Sequence, residues 1–202
     1  MGQPEEVPDA VALSKLSNKD GVVLPNSFTI RPQNDSKTKF NIRGDSGSSY
    51  LTLAYEYNSS KGSIDWDAEE STLFLISAQG QRLATIKHYR GYANATLHDS
   101  GEFRISYSVQ GDHKAVHAFS IPQIGHFEWR KGDSGWELVQ PAEPNLVLAT
   151  GVLNVGSDKP PRFAMTEIGS RANFGENWNL VAIVSYLRVW DRMRLAFGNP
   201  QR

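Results

Sequence analysis

Apolar and polar residues alternate along most of this chain with a period of two. The clearest run has apolar side chains at Phe103, Ile105, Tyr107 and Val109, with polar residues between them. About twelve such runs follow one another from Phe28 to Ile168, and stretches rich in Gly, Pro and Asn separate them. This alternation predicts half-buried strands, and the regular turns predict an antiparallel meander. So many strands favour a large closed or nearly closed barrel over a two-layer sandwich of about seven or eight strands.

The pattern changes between Trp178 and Phe197, where apolar residues occupy every side of a predicted helix rather than one stripe. A helix of this kind must be surrounded by protein or by lipid. Its uncharged stretch, Asn177 to Leu187, has eleven residues, whereas a bilayer core requires about twenty. We therefore predict no transmembrane span, and we expect the helix to fill the lumen of the barrel. A membrane anchor beside an incomplete barrel is the alternative.

These patterns divide the chain into one domain and two short ends. Residues 1–26 show no sustained period, and we expect them to form a loosely ordered arm. Residues 27–197 are predicted to form a single, mostly β barrel domain whose central helix spans 177–197, and 198–202 form a tail. A length of 202 residues suits one all-β domain of this kind.

The composition narrows the partners and the chemistry. Lys and Arg number 21 against 22 Asp and Glu, which argues against nucleic acid as a partner. The absence of cysteine excludes disulfides, thiolate catalysis and cysteine-based metal sites. The stretch from Met1 to Pro8 lacks a basic region followed by an apolar run, so we expect no secretory signal and an intracellular, cytoplasmic location.

Three features carry a family resemblance: a hairpin with a glycine turn, a later series of strands, and a closing apolar helix that ends in basic residues. They lie at Leu73–Ile76, Gly80 and Leu83–Ile86, at Phe127–Arg130, Trp136–Val139 and Leu146–Ala149, and at Leu180–Arg194. In these features the chain resembles the tubby C-terminal-like superfamily, in particular its scramblase, LURP-one-related and fungal members. The family fold is a twelve-stranded barrel threaded by its C-terminal helix, and the resemblance implies the same fold here.

Functions within that family are diverse. Some members bind phosphoinositide head groups, some are associated with membranes, and most fungal members have no known activity. The resemblance implies a non-enzymatic domain that binds a partner, either an anionic lipid or a protein. It directs attention to Lys87 and Arg90, and separately to Arg130 and Lys131, as candidates for binding an anionic head group. Ordinary surface solvation of these four residues is the alternative.

No metal ion or cofactor is expected. The acidic stretch from Asp65 to Glu70 lacks the Gly and the bidentate Glu of an EF-hand, so we interpret it as a solvated loop. His113 and His117 are four residues apart. On a predicted strand that spacing separates them by about 13 Å, too far for one ion.

No catalytic residue is predicted either, because the chain has no nucleophile elbow, phosphate loop or zinc-protease pattern. The rival hypothesis is a β-barrel or β-sandwich enzyme or carbohydrate-binding protein. It would use carboxylates such as Glu102, Glu128 and Glu137 beside Trp129 and Trp136. Since Glu102 and Glu128 alternate with apolar neighbours, we favour a solvent-facing position for both.

Overall fold

A computed structural model of the chain describes residues 22, 24–34, 36, 38–45, 49–57, 71–89, 91–98, 100–110, 114–154 and 158–196. Across these ranges, twelve antiparallel strands form a closed barrel, and two helices follow them. The strands are β1 (Ser27–Pro32), β2 (Lys39–Gly44), β3 (Ser49–Tyr57), β4 (Ser71–Ser77), β5 (Arg82–His88), β6 (Tyr92–Leu97), β7 (Gly101–Gln110), β8 (Lys114–Ile121), β9 (Gly125–Lys131), β10 (Trp136–Gln140), β11 (Glu143–Val152) and β12 (Arg162–Met165). The helices are α1 (Glu167–Arg171) and α2 (Trp178–Ala196).

Each strand pairs with the next one along the chain, and β1 pairs with β12 to close the barrel. At the closure Phe28 lies opposite Phe163, and the two rings stack with centroids 4.9 Å apart. Inward-facing residues continue from strand to strand, so that Ile30 lies opposite Ile42, which lies opposite Leu51. All of these side chains are buried. The period of two in the sequence therefore corresponds to the inner wall of the barrel.

Helix α2 fills the lumen. All fourteen residues from Trp178 to Asp191 are buried, as expected for a helix that is apolar on every side. Aromatic rings from different strands contact the helix. The ring centroid of Phe127 on β9 lies 5.0 Å from that of Trp178, and the ring centroid of Phe40 on β2 lies 5.1 Å from that of Trp190. The prediction of a twelve-stranded antiparallel barrel that encloses its C-terminal helix is confirmed.

Small residues on the wall make room for the helix. A Cβ atom added to Gly151 would lie 2.3 Å from the ring of Tyr186. The Tyr186 hydroxyl reaches the backbone carbonyls of Val152 at 3.2 Å and Arg162 at 3.0 Å. Glycine at position 151 thus allows the tyrosine to pack against β11 and to bond across β11 and β12.

The structure differs from the sequence expectation in a few places. Helix α2 begins one residue inside the predicted span of 177–197 and is described as far as Ala196. The strand series ends at Met165, and Ile168 belongs to α1, which was not predicted; the Thr166 hydroxyl caps this helix by accepting a hydrogen bond from the Gly169 amide. Of the predicted arm, Val22 and Leu24 are buried in the core, while residues 1–21 and 23 and the tail 198–202 lie outside the described residues.

Candidate functional site

Of the four basic residues predicted to bind an anionic head group, the three that the structure describes do not form one patch. Lys87 is exposed on β5, whereas Arg130 is half-buried on β9, and strands β6, β7 and β8 lie between them. Arg130 already donates a hydrogen bond to the Pro144 carbonyl, and its Nε lies 3.9 Å from Oε2 of Glu137. Lys131 is exposed at the end of β9. Arg90 lies outside the described residues.

Lys87 has a different basic neighbour on the outer wall. In the strand register Lys87 lies opposite Asn94, and Asn94 lies opposite Arg104 of β7. Nε of Arg104 donates to Oδ1 of Asn94 at 3.4 Å, and its guanidinium lies 4.4 Å from the ring centroid of Tyr92. Lys87 and Arg104 are both exposed, so they form a basic pair two strands apart on the outer face. Arg104 is not among the residues predicted from the sequence, because only the strand register shows which polar positions are neighbours.

A polar cluster lies inside the barrel around the last turns of α2. The fully buried carboxylate of Asp191 accepts hydrogen bonds from the Tyr55 hydroxyl and, at 3.1 Å, from Nη2 of Arg194. One turn earlier, Nη1 of Arg188 lies 2.7 Å from Nδ1 of His88. Burial, followed by the charge of Asp191, raises the pKa of Tyr55. The cluster therefore holds a neutral tyrosine and one carboxylate beside two guanidinium groups.

The hydrogen bond from Arg188 determines the protonation state of His88. Arginine can only donate, so Nδ1 of His88 must accept from Arg188 and the ring is neutral. Burial lowers the pKa of His88 to about 4, while the nearby Asp191 opposes that shift. The approach of His88 to Oδ2 of Asp191, 3.3 Å, is consequently not an ion pair at neutral pH. Burial lowers the pKa of Arg188 to about 10, so this residue remains a cation.

A second histidine lies deeper in the wall. His117 is fully buried, its ring packs 5.1 Å from Tyr107 and 5.5 Å from Trp136, and no residue that the structure describes bonds to either ring nitrogen. Burial, followed by the charges of Arg188 and Arg192, lowers the pKa of His117 to about 3. Its imidazole is neutral at physiological pH.

The interior cluster is closed to substrates. The side chain of Asp191 is 0% exposed and that of His88 is 8% exposed. The cluster ties the end of α2 to strands β3 and β5, which positions the helix in the lumen. One signal in the sequence pointed to it: Arg188 and Asp191 are charges three residues apart in a helix whose residues are mostly apolar.

The carboxylates and tryptophans of the rival enzyme hypothesis are also separated. Trp129 and Trp136 are buried inside the barrel, and the indole of Trp129 donates to Ser185 of α2 at 2.9 Å, so neither ring presents a platform for a sugar. Glu128 lies on the outer wall, with Oε1 at 3.4 Å from Nε2 of His126, and Glu137 faces Arg130 on the adjacent strand.

Within the part of the chain that the structure describes, no group of three His, Cys, Asp or Glu residues is placed to hold a metal ion. The acidic stretch 65–70 and His113 lie outside the described residues.

Neither helix among the described residues combines the length and the apolar character needed to cross a bilayer. In comparisons with known proteins, no protein-family model, curated protein or solved structure matches this chain.

Proposed function

We propose that this chain is a non-enzymatic binding domain that recognises its partner with the outer surface of the barrel. One observation supports this most strongly: the lumen, where other barrels hold a ligand, is occupied by the buried residues Trp178–Asp191 of α2. The ionisable groups Asp191 and His88 lie inside this packed core, where Asp191 accepts from Tyr55 and His88 accepts from Arg188. Recognition is therefore assigned to the exterior.

The partner proposed for the outer wall is an anionic lipid head group. The exposed pair Lys87 and Arg104 supplies two cations on one face, and both side chains form charge-assisted hydrogen bonds with phosphate. Tyr89 and Tyr92 stack beside them, with ring centroids 4.7 Å apart. Amphipathic aromatic rings of this kind favour the interface between lipid and water.

The experiment is co-sedimentation with vesicles of phosphatidylcholine alone or of phosphatidylcholine with a phosphoinositide, at low and at physiological salt. The test variant is Lys87→Glu/Arg104→Glu. The matched control, Lys39→Glu/Arg43→Glu, makes the same change of charge at two exposed outer positions on β2. Each basic side chain near an anionic surface contributes about 1 kcal/mol, so loss of the pair weakens binding by roughly thirty-fold or more.

Binding to phosphoinositide vesicles that salt weakens, that the test variant loses and that the control keeps would support the proposal. Equal binding to both vesicle types, or equal losses in the two double variants, would refute it. A separate variant, Lys131→Glu, tests the other predicted basic site at the end of β9.

A further inference from the structure

A serine, a histidine and a glutamate meet on the outer wall, where strands β8 and β9 form a hairpin. In the strand register Ser120 lies opposite His126, and its hydroxyl oxygen is 3.0 Å from Nδ1 of the histidine ring. On the other side of that ring, Nε2 lies 3.4 Å from Oε1 of Glu128. The imidazole therefore connects a hydroxyl group to a carboxylate.

The backbone of the hairpin holds these side chains on one face. The turn is tight, since the Ile124 amide donates to the Ile121 carbonyl at 3.1 Å and Gly125 lies opposite Ile121 in the register. Gly125 has a φ of 153°, a value that favours glycine. His126 and Glu128 follow two residues apart on β9, so both point to the outside of the barrel.

The carboxylate determines which nitrogen of the ring carries the proton. An ionised carboxylate can only accept, so the contact with Glu128 places the proton of a neutral ring on Nε2 of His126. Nδ1 is then an acceptor, and it accepts from the Ser120 hydroxyl. The next outward residue of β9, Arg130, is bonded to the Pro144 carbonyl. A base that is bonded to a hydroxyl and oriented by a third group is the arrangement that activates a serine nucleophile.

The place of this cluster on the wall limits what it can do. Ser120 is exposed and the His126 side chain is 49% exposed, so a reactive molecule can reach the hydroxyl. Water reaches it too, and water weakens the electrostatic interactions that would stabilise an oxyanion. Acyl-transfer enzymes rely on a site that excludes water. We therefore expect transfer to the serine without turnover.

We propose that Ser120 is an acyl-acceptor site, at which the chain takes up the acyl group of a reactive ester. The Ser120 oxygen forms a bond to the acyl carbon, and the bond between that carbon and the leaving oxygen breaks. His126 accepts the hydroxyl proton at Nδ1 and passes it to the leaving alcohol, while Glu128 orients the ring. The products are an acyl-serine and a free alcohol. The proposal goes beyond lipid binding and does not rest on it.

The test is incubation of the full chain with p-nitrophenyl acetate. Absorbance follows the release of p-nitrophenol, and peptide mass spectrometry measures the rate of acetylation at each serine. Ser120→Ala removes the acceptor, His126→Gln removes the base, and Glu128→Leu removes the group that orients it. The matched control, Ser106→Ala, removes another exposed hydroxyl of the outer wall, which lies opposite Ala118 instead of a histidine.

We expect Ser120 to be acetylated at least about ten-fold faster than Ser106, because a positioned general base accelerates such transfers by about 10²- to 10⁴-fold. The rate at Ser120 should fall by about ten-fold or more in His126→Gln and in Glu128→Leu. Glu128→Gln, whose amide oxygen still accepts from Nε2, should recover part of that rate. The control Ser106→Ala should keep the full rate.

Equal acetylation of Ser120 and Ser106, or an unchanged rate at Ser120 in His126→Gln or Glu128→Leu, would overturn the proposal. Equal rates in the two Glu128 variants would overturn the orienting role of that side chain. Continued release of p-nitrophenol beyond one equivalent, lost in Ser120→Ala, would also overturn the proposal, because the chain would then be a hydrolase and not an acyl acceptor.

Discussion

The two buried histidines, His88 and His117, predict that the protein loses stability in mild acid. The pKa of each ring is about 6.5 in the unfolded chain, and in the folded chain it is about 4 for His88 and about 3 for His117. Between pH 6.5 and these folded values the unfolded chain binds more protons, so stability falls as the pH falls. The stabilisation is complete above about pH 6.5 and disappears only below the folded pKa values.

The magnitude follows from the distance between the working pH and 6.5. At pH 5 the unfolded pKa lies 1.5 units higher, and one unit corresponds to about 1.36 kcal/mol. Each histidine therefore removes about 2 kcal/mol between pH 7.5 and pH 5, or about 4 kcal/mol for the two. That is a large fraction of the stability of an ordinary domain, about 5 to 15 kcal/mol.

Urea unfolding followed by tryptophan fluorescence measures this loss directly. In His117→Phe the acid-induced loss should fall from about 4 to about 2 kcal/mol. The stability of this variant at pH 7.5 should at least equal that of the original chain, because Phe fits between Tyr107 and Trp136 without two unbonded nitrogens. The control His126→Gln changes an exposed ring and should keep the full loss. An acid-induced loss in His117→Phe as large as in the original chain would refute the reasoning.

Three further predictions concern how the helix is held. Asp191→Asn removes the buried carboxylate that accepts from Tyr55 and pairs with Arg194, and it should lower the free energy of unfolding by about 3 to 5 kcal/mol; an unchanged urea midpoint would contradict this. Gly151→Ala places a methyl group against Tyr186 and should destabilise the chain by about 1 to 3 kcal/mol, as measured by thermal unfolding, and a change of less than about 0.5 kcal/mol would show that the contact is looser. A chain ended after Gly175 lacks the core helix and should show no cooperative unfolding by circular dichroism, whereas a soluble folded barrel would support the anchor alternative.

The sequence was sufficient for the architecture because burial imposes a regular period. Alternation such as that from Phe103 to Val109 marks an inner wall, and the all-round apolar residues of α2 mark a helix without a solvent face. The number of strands then predicted a barrel with a lumen that the helix could fill. Composition and period together predicted the barrel and its contents.

Such patterns do not predict the strand register or the close contacts between elements. The prediction from the sequence grouped Lys87 with Arg90, which is close to it along the chain. In the structure, the basic residue near Lys87 on the outer wall is Arg104, two strands away. Nor does the hydrophobic period show that Gly169 allows α1 to pack closely against β11. This packing leaves an apolar groove beside Ile168. The candidate sites depend on contacts between residues distant in sequence, and these appear only when the strands are aligned.

Hydrogen–deuterium exchange of the amides in α2, followed by mass spectrometry, tests the central claim that this helix fills the barrel. If it does, the amides from Val181 to Val189 exchange only when the whole domain unfolds, with the free energy obtained from urea unfolding. Exchange of these amides well before the barrel strands would mean that the helix leaves an intact barrel, and the assignment of recognition to the outer surface would fall with it.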